Sequence, residues 1–259
     1  MFLLVLGFAT LGPLVWKYRF DTYTEDNSAR PSLAHPFGTD SLGYDTMALV
    51  MRGTLRSIEI ALAVGLVATV VGGLLGAIAG YFGGIVDSLI MRFVDIVLVF
   101  PAIAVAAFLT RQAGPQNSSW VLVAAVLAAL AWPVVARIVR SHVMVIATND
   151  YIAATRLAGA GHGWILARHV LPNSVGVLSA SVTVLTSVAI LSETALSYLG
   201  FGVLPPDTSL GLLVRDAQSA VFIRPWLFYF PGLFIVIIVL SLSFIGDGLR
   251  FAFDRRGTS

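Results

Sequence analysis

The chain has 259 residues, of which 58% are hydrophobic and only 12% charged, with a mean hydropathy of +0.89 and a formal net charge of +2. Soluble domains carry about 25% charged residues, so this composition excludes a soluble domain and points to an integral membrane protein; the charge balance is no nucleic-acid signature either. The absence of cysteine excludes disulfides and thiolate metal sites, and the single lysine, Lys17, is followed by Tyr18, so the Gly-Lys-Ser/Thr loop that cradles nucleotide phosphates is absent and no ATP hydrolysis is expected of this chain.

A bilayer is crossed by about 20 apolar residues in a helix, and six apolar runs are present. The first, Phe2 to Trp16, is short, and it lacks the basic flank and small-residue cleavage site of a signal peptide, so an uncleaved helix is expected. A polar segment, Lys17 to Met51, precedes the second run, Leu55 to Gly80. Gly72, Gly76 and Gly80 stud that run in small-xxx-small spacing, which favours close helix packing. Tyr81-Phe82-Gly83-Gly84 forms a turn, with two glycines free to take positive φ. The third run is Ile85 to Thr110, the fourth Trp120 to Val139, the fifth Ser174 to Leu199 and the sixth Trp226 to Ile245. Pro101, Pro133 and Pro231 interrupt helical hydrogen bonding within runs three, four and six. Strands are excluded by run length and by the cost of an open sheet edge in lipid. The expected fold is an all-α polytopic membrane protein with six transmembrane helices. Its expected division is residues 1–52, the first helix with an extracytoplasmic segment, and residues 53–259, a five-helix core.

Arginine placement sets the orientation. The segment between runs four and five carries Arg137, Arg140, Arg156 and Arg168 against Asp150, and the C-terminal tail carries Arg250, Arg255 and Arg256. Both are expected on the cytoplasmic side. The segment after run one, with Asp21, Glu25, Asp26, Asp40 and Asp45 against Lys17, Arg19 and Arg30, is expected outside. Six spans with both termini in the cytoplasm satisfy these constraints together.

The stretch NDYIAATRLAGAGHGWILARHVLPN, Asn149 to Asn173, interrupts the apolar chain. Asn149 and Asp150 are N-cap candidates. A helix is expected from Tyr151 to Ala158, with Ala153, Ala154 and Ala158 as a small-residue face. Gly159 and Gly161 suit a stop and a turn, and a second short helix, Trp164 to Val170, is expected to present Trp164, Ile165 and Leu171 on one side. Pro172 suits the first turn of the next span. A solvated connector explains the arginines; a docking knob for a soluble partner explains the small face beside a large aromatic as well.

Ala153-Ala154-Thr155, Gly159, His169 and Leu171-Pro172 stand in the spacing of the Glu-Ala-Ala … Gly … Ile … Leu-Pro coupling loop, and the chain is thereby similar to ABC importer permeases. Ala153 replaces the glutamate and His169 the isoleucine. His35-Pro36-Phe37-Gly38-Thr39-Asp40 with Gly43-Tyr44-Asp45 resembles the His-Pro-Leu-Gly-Thr-Asp … Gly-Arg-Asp signature of the dipeptide and oligopeptide branch, with Tyr44 in place of the arginine. Ala79 to Gly84, Met91-Arg92 to Asp95, and Leu191-Ser192-Glu193 to Leu199-Gly200-Phe201-Gly202 resemble the same branch. The resemblance implies the type I importer permease fold. It implies a half-channel that pairs with a second homologous permease and two cytoplasmic ATPase subunits, which hold the ATP and magnesium; this chain needs no cofactor of its own. An extracytoplasmic binding protein would deliver peptides across a bacterial cytoplasmic membrane. The coupling loop would be residues 149–172, with Asp150, Ala153, Ala154, Gly159, Ala160, Trp164, Leu171 and Pro172 in contact with the ATPase. His35, Thr39, Asp40 and Asp45, with Pro205, Pro206 and Asp207 from the loop between runs five and six, would form the surface for the binding protein.

Within the spans, Arg92 and Asp95 stand at i and i+3, the spacing of a local ion pair; a substrate role is the alternative. Glu193 is the one acid of run five, flanked by Ser192, Thr194 and Ser197, and either lines a pathway or hydrogen-bonds a neighbouring helix. His142, His162 and His169 lack metal-ligand spacing. Other cargoes of the same machinery, such as nickel chelates or haem, are the nearest alternative function. An ion-driven secondary transporter or channel would require inverted repeats or several deep acids, which are not evident.

Overall fold

A computed structural model of the chain describes residues 1–114 and 119–254, and Arg255 and Arg256 of the basic tail lie outside the described residues. All regular elements among these are helical, apart from isolated bridges pairing Tyr23 with Tyr44 and Thr39 with Asp45. In chain order they are α1 (Phe2–Thr10), α2 (Gly12–Val15), α3 (Thr46–Phe82), α4 (Gly84–Val99), α5 (Ala102–Ala113), α6 (Trp120–Ala147), α7 (Asp150–Leu157), α8 (His162–Ile165), α9 (Leu171–Asn173), α10 (Val175–Tyr198), α11 (Leu210–Ala217) and α12 (Trp226–Asp254). A π-helical turn, Leu166–Val170, joins α8 to α9.

Four of these, α3, α6, α10 and α12, are each long and apolar enough to cross a membrane; α4 and α5 make a fifth span if taken together, and Phe2–Val15 is a shorter apolar stretch. The third run is therefore not one straight helix: α4 and α5 meet at 80°. The cause is local. Pro101 offers no N–H and disfavours helical backbone in the residue before it, and Phe100 is extended, at φ −81 and ψ 137. Pro133 and Pro231, by contrast, lie inside continuous helices. The second run also begins earlier than its apolar pattern suggests, at Thr46, because the turns before Leu55, which carry Thr46, Arg52 and Thr54, are helical as well.

The chain divides into two compact units, each discontinuous in sequence. One comprises Met1–Leu62, Ile103–Leu127 and Ser187–Leu242. In it Phe37 stacks on Phe230 of α12 at 3.9 Å, and Phe8 of α1 contacts Phe234 at 4.8 Å. The polar segment before α3 is folded tightly. His35 is buried, with Nδ1 2.7 Å from Asp45 Oδ2 and its ring stacked on Tyr18 at 4.5 Å. Asp45 also accepts the Trp16 Nε1–H at 3.0 Å and the Ala48 N–H at 2.8 Å, which makes it the cap of α3.

The other unit comprises Ala63–Ala102, Ala128–Thr186 and the chain from Ser243. Here α3 and α6 meet backbone to backbone. A Cβ added at Gly72, Gly76 or Gly80 would fall under 3.0 Å from the carbonyl oxygens of Trp132, Ala136 and Arg140 respectively. These positions repeat at four-residue spacing on both helices, so a glycine row on α3 lies against a carbonyl row on α6. The small-residue spacing read from the sequence thus marks a real contact. Around it, Ala77, Tyr81, Val94, Val135, Val139, Val143, Ile152, Ile165 and Val170 form one buried core. Gly83 and Gly84, at φ +62 and +53, make the turn into α4. Gly76→Leu is expected to cost about 1–3 kcal/mol through overpacking, while Gly248→Leu, where nothing lies within 4 Å of the new Cβ, is expected to be silent. The melting midpoint of the purified protein in detergent, wild type against each variant, measures both.

Candidate functional site

The stretch from Asn149 to Asn173 folds as a compact knob within the second unit. Its first helix, α7, begins with backbone capping alone: Ile152 N–H and Ala153 N–H donate to the Asn149 carbonyl at 3.0 and 3.3 Å, and no side chain caps the end. Asp150 stands in the first turn, where a negative charge favours the helix dipole. The helix ends at Leu157 because Gly159 takes φ +85 and its N–H closes on the Arg156 carbonyl at 3.0 Å. Gly161 instead has φ −69 and starts α8, so only one of the two expected glycine turns uses positive φ.

Burial splits the knob into two faces. Ile152, Ile165 and Val170 enter the core shared with α3 and α6. Asp150, Tyr151, Ala153, Ala154, Leu157, Gly159 and Trp164 are exposed, Leu157 at 90% and Trp164 at 54%. The expected row of Trp164, Ile165 and Leu171 is therefore broken, since Ile165 is buried and Leu171 half-buried. Trp164 and Ile165 are successive residues of α8 and so point about 100° apart, and the π turn that follows shifts Leu171 from its α-helical phase. The resulting outer surface is small residues on α7 beside two large apolar side chains. Ala160 and Leu171 are half-buried at its edge, and Pro172 is exposed in the first turn of α9.

Aromatic and polar contacts brace the knob. His169 contacts Trp164 at 5.1 Å and Tyr151 at 5.9 Å, ring centroid to centroid. Asn173 Nδ2 donates to the Tyr151 hydroxyl at 3.2 Å and to the His169 carbonyl at 2.8 Å. At the end of α3, the Tyr81 hydroxyl lies 3.0 Å from His162 Nδ1, and the Arg156 guanidinium lies over the Tyr81 ring at 4.8 Å. Sequence reading singled out none of these three as a bracing group. The available signal was an aromatic pair, Tyr81-Phe82, placed directly before a double glycine turn. Among the described residues no group of three or more His, Asp or Glu side chains could hold a metal.

Two acids of this unit pair with arginines across helices. Asp95 meets Arg137 of α6 at 2.5 Å, not Arg92 one turn away, and Asp87 of α4 is held by the Arg140 guanidinium of α6. A tertiary partner at good geometry displaces the local i,i+3 pair, which is worth only about 0.2–0.5 kcal/mol.

In the first unit, Glu193 of α10 is completely buried. Ser57 of α3 donates to Oε2 at 3.1 Å and Ser197 to Oε1 at 2.6 Å. The same hydroxyls continue to α11: Ser57 Oγ accepts the Leu210 N–H at 3.2 Å, while Ser197 contacts Ser209 at 3.3 Å and Ser209 accepts the Leu212 N–H at 3.2 Å. Of the two readings open for Glu193, the interhelical one matches this geometry, because the carboxylate orients Ser57 directly and Ser209 through Ser197, and these two hydroxyls receive N–H groups in the first turn of α11. Asp207 is paired with Arg52 at 2.8 Å and Arg56 at 2.5 Å, both on α3. His35, Thr39 and Asp45, at 1%, 0% and 0% exposure, are interior and give no surface to a partner. Their motif is a folding device: Thr39 Oγ1 accepts the Ala29 N–H at 2.8 Å and donates to the Asp26 carbonyl. Asp40, Pro205, Pro206 and Asp207 instead line a cavity in this unit. Glu193→Gln keeps a hydrogen-bonding group in place and is expected to melt near wild type, whereas Glu193→Ala strands two hydroxyls and is expected to lose about 2 kcal/mol or more; thermal unfolding of the two variants measures the difference.

A family model described as the binding-protein-dependent transport system inner membrane component matches residues 72–258. The oligopeptide transport system permease protein OppC of Mycobacterium tuberculosis (strain ATCC 25618 / H37Rv) is 36% identical over 230 residues, which cover 88% of this chain and 78% of that relative. A protein of Brucella suis biovar 1 (strain 1330), named for peptide permease function, is 40% identical over 232 residues, covering 89% of this chain and 76% of that one. An inward-facing structure of the MetNI methionine ABC transporter aligns with a TM-score of 0.66 at 21% identity, over 80% of this chain and 97% of its own, and so shares the fold. The chain belongs to the binding-protein-dependent transport system inner membrane component family, whose members are membrane-embedded permease subunits of ABC importers.

Proposed function

We propose that this chain is one of two homologous permease subunits that together form the pathway of an ATP-driven peptide importer. Short peptides are the cargo, as the names of the relatives indicate for those proteins. ATP and magnesium belong to two cytoplasmic ATPase subunits, and an extracytoplasmic binding protein presents the cargo. The basic segment around Arg137 to Arg168 and both termini face the cytoplasm, in keeping with the positive-inside rule.

The observation that carries this reading is the two-faced knob. Its inner face, Ile152, Ile165 and Val170, is part of the core that holds α3, α4 and α6. Its outer face exposes Ala153, Ala154, Leu157 and Trp164, a shallow apolar surface of the kind that a soluble partner covers. A push on that outer face is transmitted to spans without an intervening flexible joint, because packed cores move as rigid bodies between discrete arrangements. Residues 149–172 thereby couple the ATPase to the spans.

Leu157→Asp places a charge on the outer face without touching the core. It is expected to abolish co-purification of the ATPase subunits and peptide-stimulated ATP hydrolysis, with the melting midpoint of the permease unchanged. Undiminished assembly and hydrolysis would remove the docking role. For the cargo, ATP-dependent uptake of a mixed di- to pentapeptide pool into liposomes holding the complete complex is expected. Uptake of no peptide, with uptake of nickel chelates or haem instead, would reassign the cargo.

A further inference from the structure

The first unit contains a cavity of about 440 Å³ that the proposed coupling does not use. Residues preceding and opening α3, the Pro205–Thr208 loop, α11 and the start of α12 line it. Its volume lies within the range of small-ligand sites, about 300–1,000 Å³. Its walls combine apolar side chains, among them Phe20, Leu49, Leu213 and Leu227, with four carboxylates and one arginine.

The four carboxylates differ in how their charge is met. Asp21 is paired with Arg19 at 2.9 Å, and Asp207 with Arg52 and Arg56. Asp40 uses Oδ1 to accept the Leu42 and Tyr44 N–H groups, each at 2.8 Å, and has no cationic partner among the described residues; neither has Asp216 within ion-pair distance. Partial burial raises the Asp216 carboxyl above the usual carboxylate range; neighbouring Arg215 opposes the rise and the charge of Asp40 adds to it. A carboxylate whose ionisation is opposed by burial and a neighbouring like charge is relieved by a cation.

A second observation is independent of charge. Thr46, 4% exposed, lines the same cavity, and its Oγ1 is buried without a hydrogen-bond partner in the chain. A buried hydroxyl left unpaired costs about 1–3 kcal/mol, and a polar ligand in the cavity would supply the missing bond. Arg224, whose guanidinium donates to Ser28 Oγ at 2.6 Å, provides the opposite charge on the same wall.

We propose that this cavity is a binding site for a short peptide with both ends free, its ammonium group held by Asp40 and Asp216 with Thr46, its carboxylate drawn to Arg224, and its side chains set against the apolar wall. The site builds on the peptide-import reading and adds a peptide contact within the permease itself. Recognition of both ends excludes capped peptides, since each cap removes a charge that the cavity would otherwise neutralise.

The test uses the assembled complex of both permeases and the ATPase subunits in nanodiscs, without binding protein or nucleotide. Saturable binding of a radiolabelled dipeptide is expected. N-acetylated and C-amidated forms of the same dipeptide are expected to compete at least about tenfold more weakly, and Asp216→Asn to weaken binding by about tenfold, as the loss of one charged hydrogen bond implies. Thr46→Val is expected to weaken it several-fold, and Glu25→Gln, an exposed position outside the cavity lining, to leave it unchanged. Absence of saturable binding, equal competition by either capped form, or wild-type affinity in Asp216→Asn would overturn the site. Uptake by the complete transporter separates this failure from that of the import reading: peptide uptake with an unaltered KM in Asp216→Asn retires the cavity alone, whereas uptake of no peptide retires both.

Discussion

The close approach of α3 to α6 is the contact on which the coupling end of the molecule depends. Three glycines on one helix lie against three carbonyl oxygens on the other, and no side chain larger than hydrogen fits between them. Without a hydrophobic driving force between helices in lipid, such backbone contact is a principal source of packing energy. The approach also fixes registry, because Gly80 against Arg140 places the next residue of α3, Tyr81, under the knob. From there Tyr81 meets His162 and Arg156, one on each short helix of the knob. The ion pairs of Asp87 with Arg140 and Asp95 with Arg137 bind α4 to the same face of α6. Helices α3, α4, α6 and the knob therefore behave as one block.

The first unit is organised on a different principle. Its interior carries a network of paired polar groups. Glu193, Ser57, Ser197 and Ser209 form a chain of hydroxyls around one carboxylate that ends on the N–H groups of α11. The segment before α3 is held by His35, Asp45 and Thr39, and Asp207 is clamped by two arginines. Buried polar networks of this kind specify one arrangement more than they add stability. Thr46 Oγ1 is buried without a partner, as are Thr54 Oγ1, Thr194 Oγ1 and Trp226 Nε1, and of these residues Thr46 alone lines the cavity, beside Asp40 and Asp216.

Much of the fold was legible in the sequence, since a helix that crosses lipid must be long, apolar and internally hydrogen-bonded, and those demands show in any single chain. The glycine row on α3, the turn at Gly83-Gly84 and the stop at Gly159 were legible for the same reason: each is a position where a side chain or an ordinary φ fails. What composition cannot show is which of several equivalent partners a charge selects. Asp95 has an arginine at i−3 and another on α6, and only the packing of α4 on α6 decides for Arg137. Polar residues in the Ala34 to Asp45 segment read as surface because polar residues usually are; their burial follows from bonds among themselves, which no pattern in the sequence displays. The π turn after Ile165 was hidden too, as nothing in Leu-Ala-Arg-His-Val departs from α-helical propensity, and it shifted the phase of Leu171 behind it.

The central claim is that the outer face of the knob is covered by the ATPase. The chain is free of cysteine, so a lone reporter can be placed at Ala154→Cys, on the exposed side of α7, with no background. The decisive measurement is the rate at which a membrane-impermeant maleimide labels that position in inside-out vesicles, for permeases alone and for permeases with ATPase subunits. Rapid labelling alone and protection by the ATPase is the predicted result. Equal labelling in both, or labelling only from the opposite side of the membrane, would contradict the account.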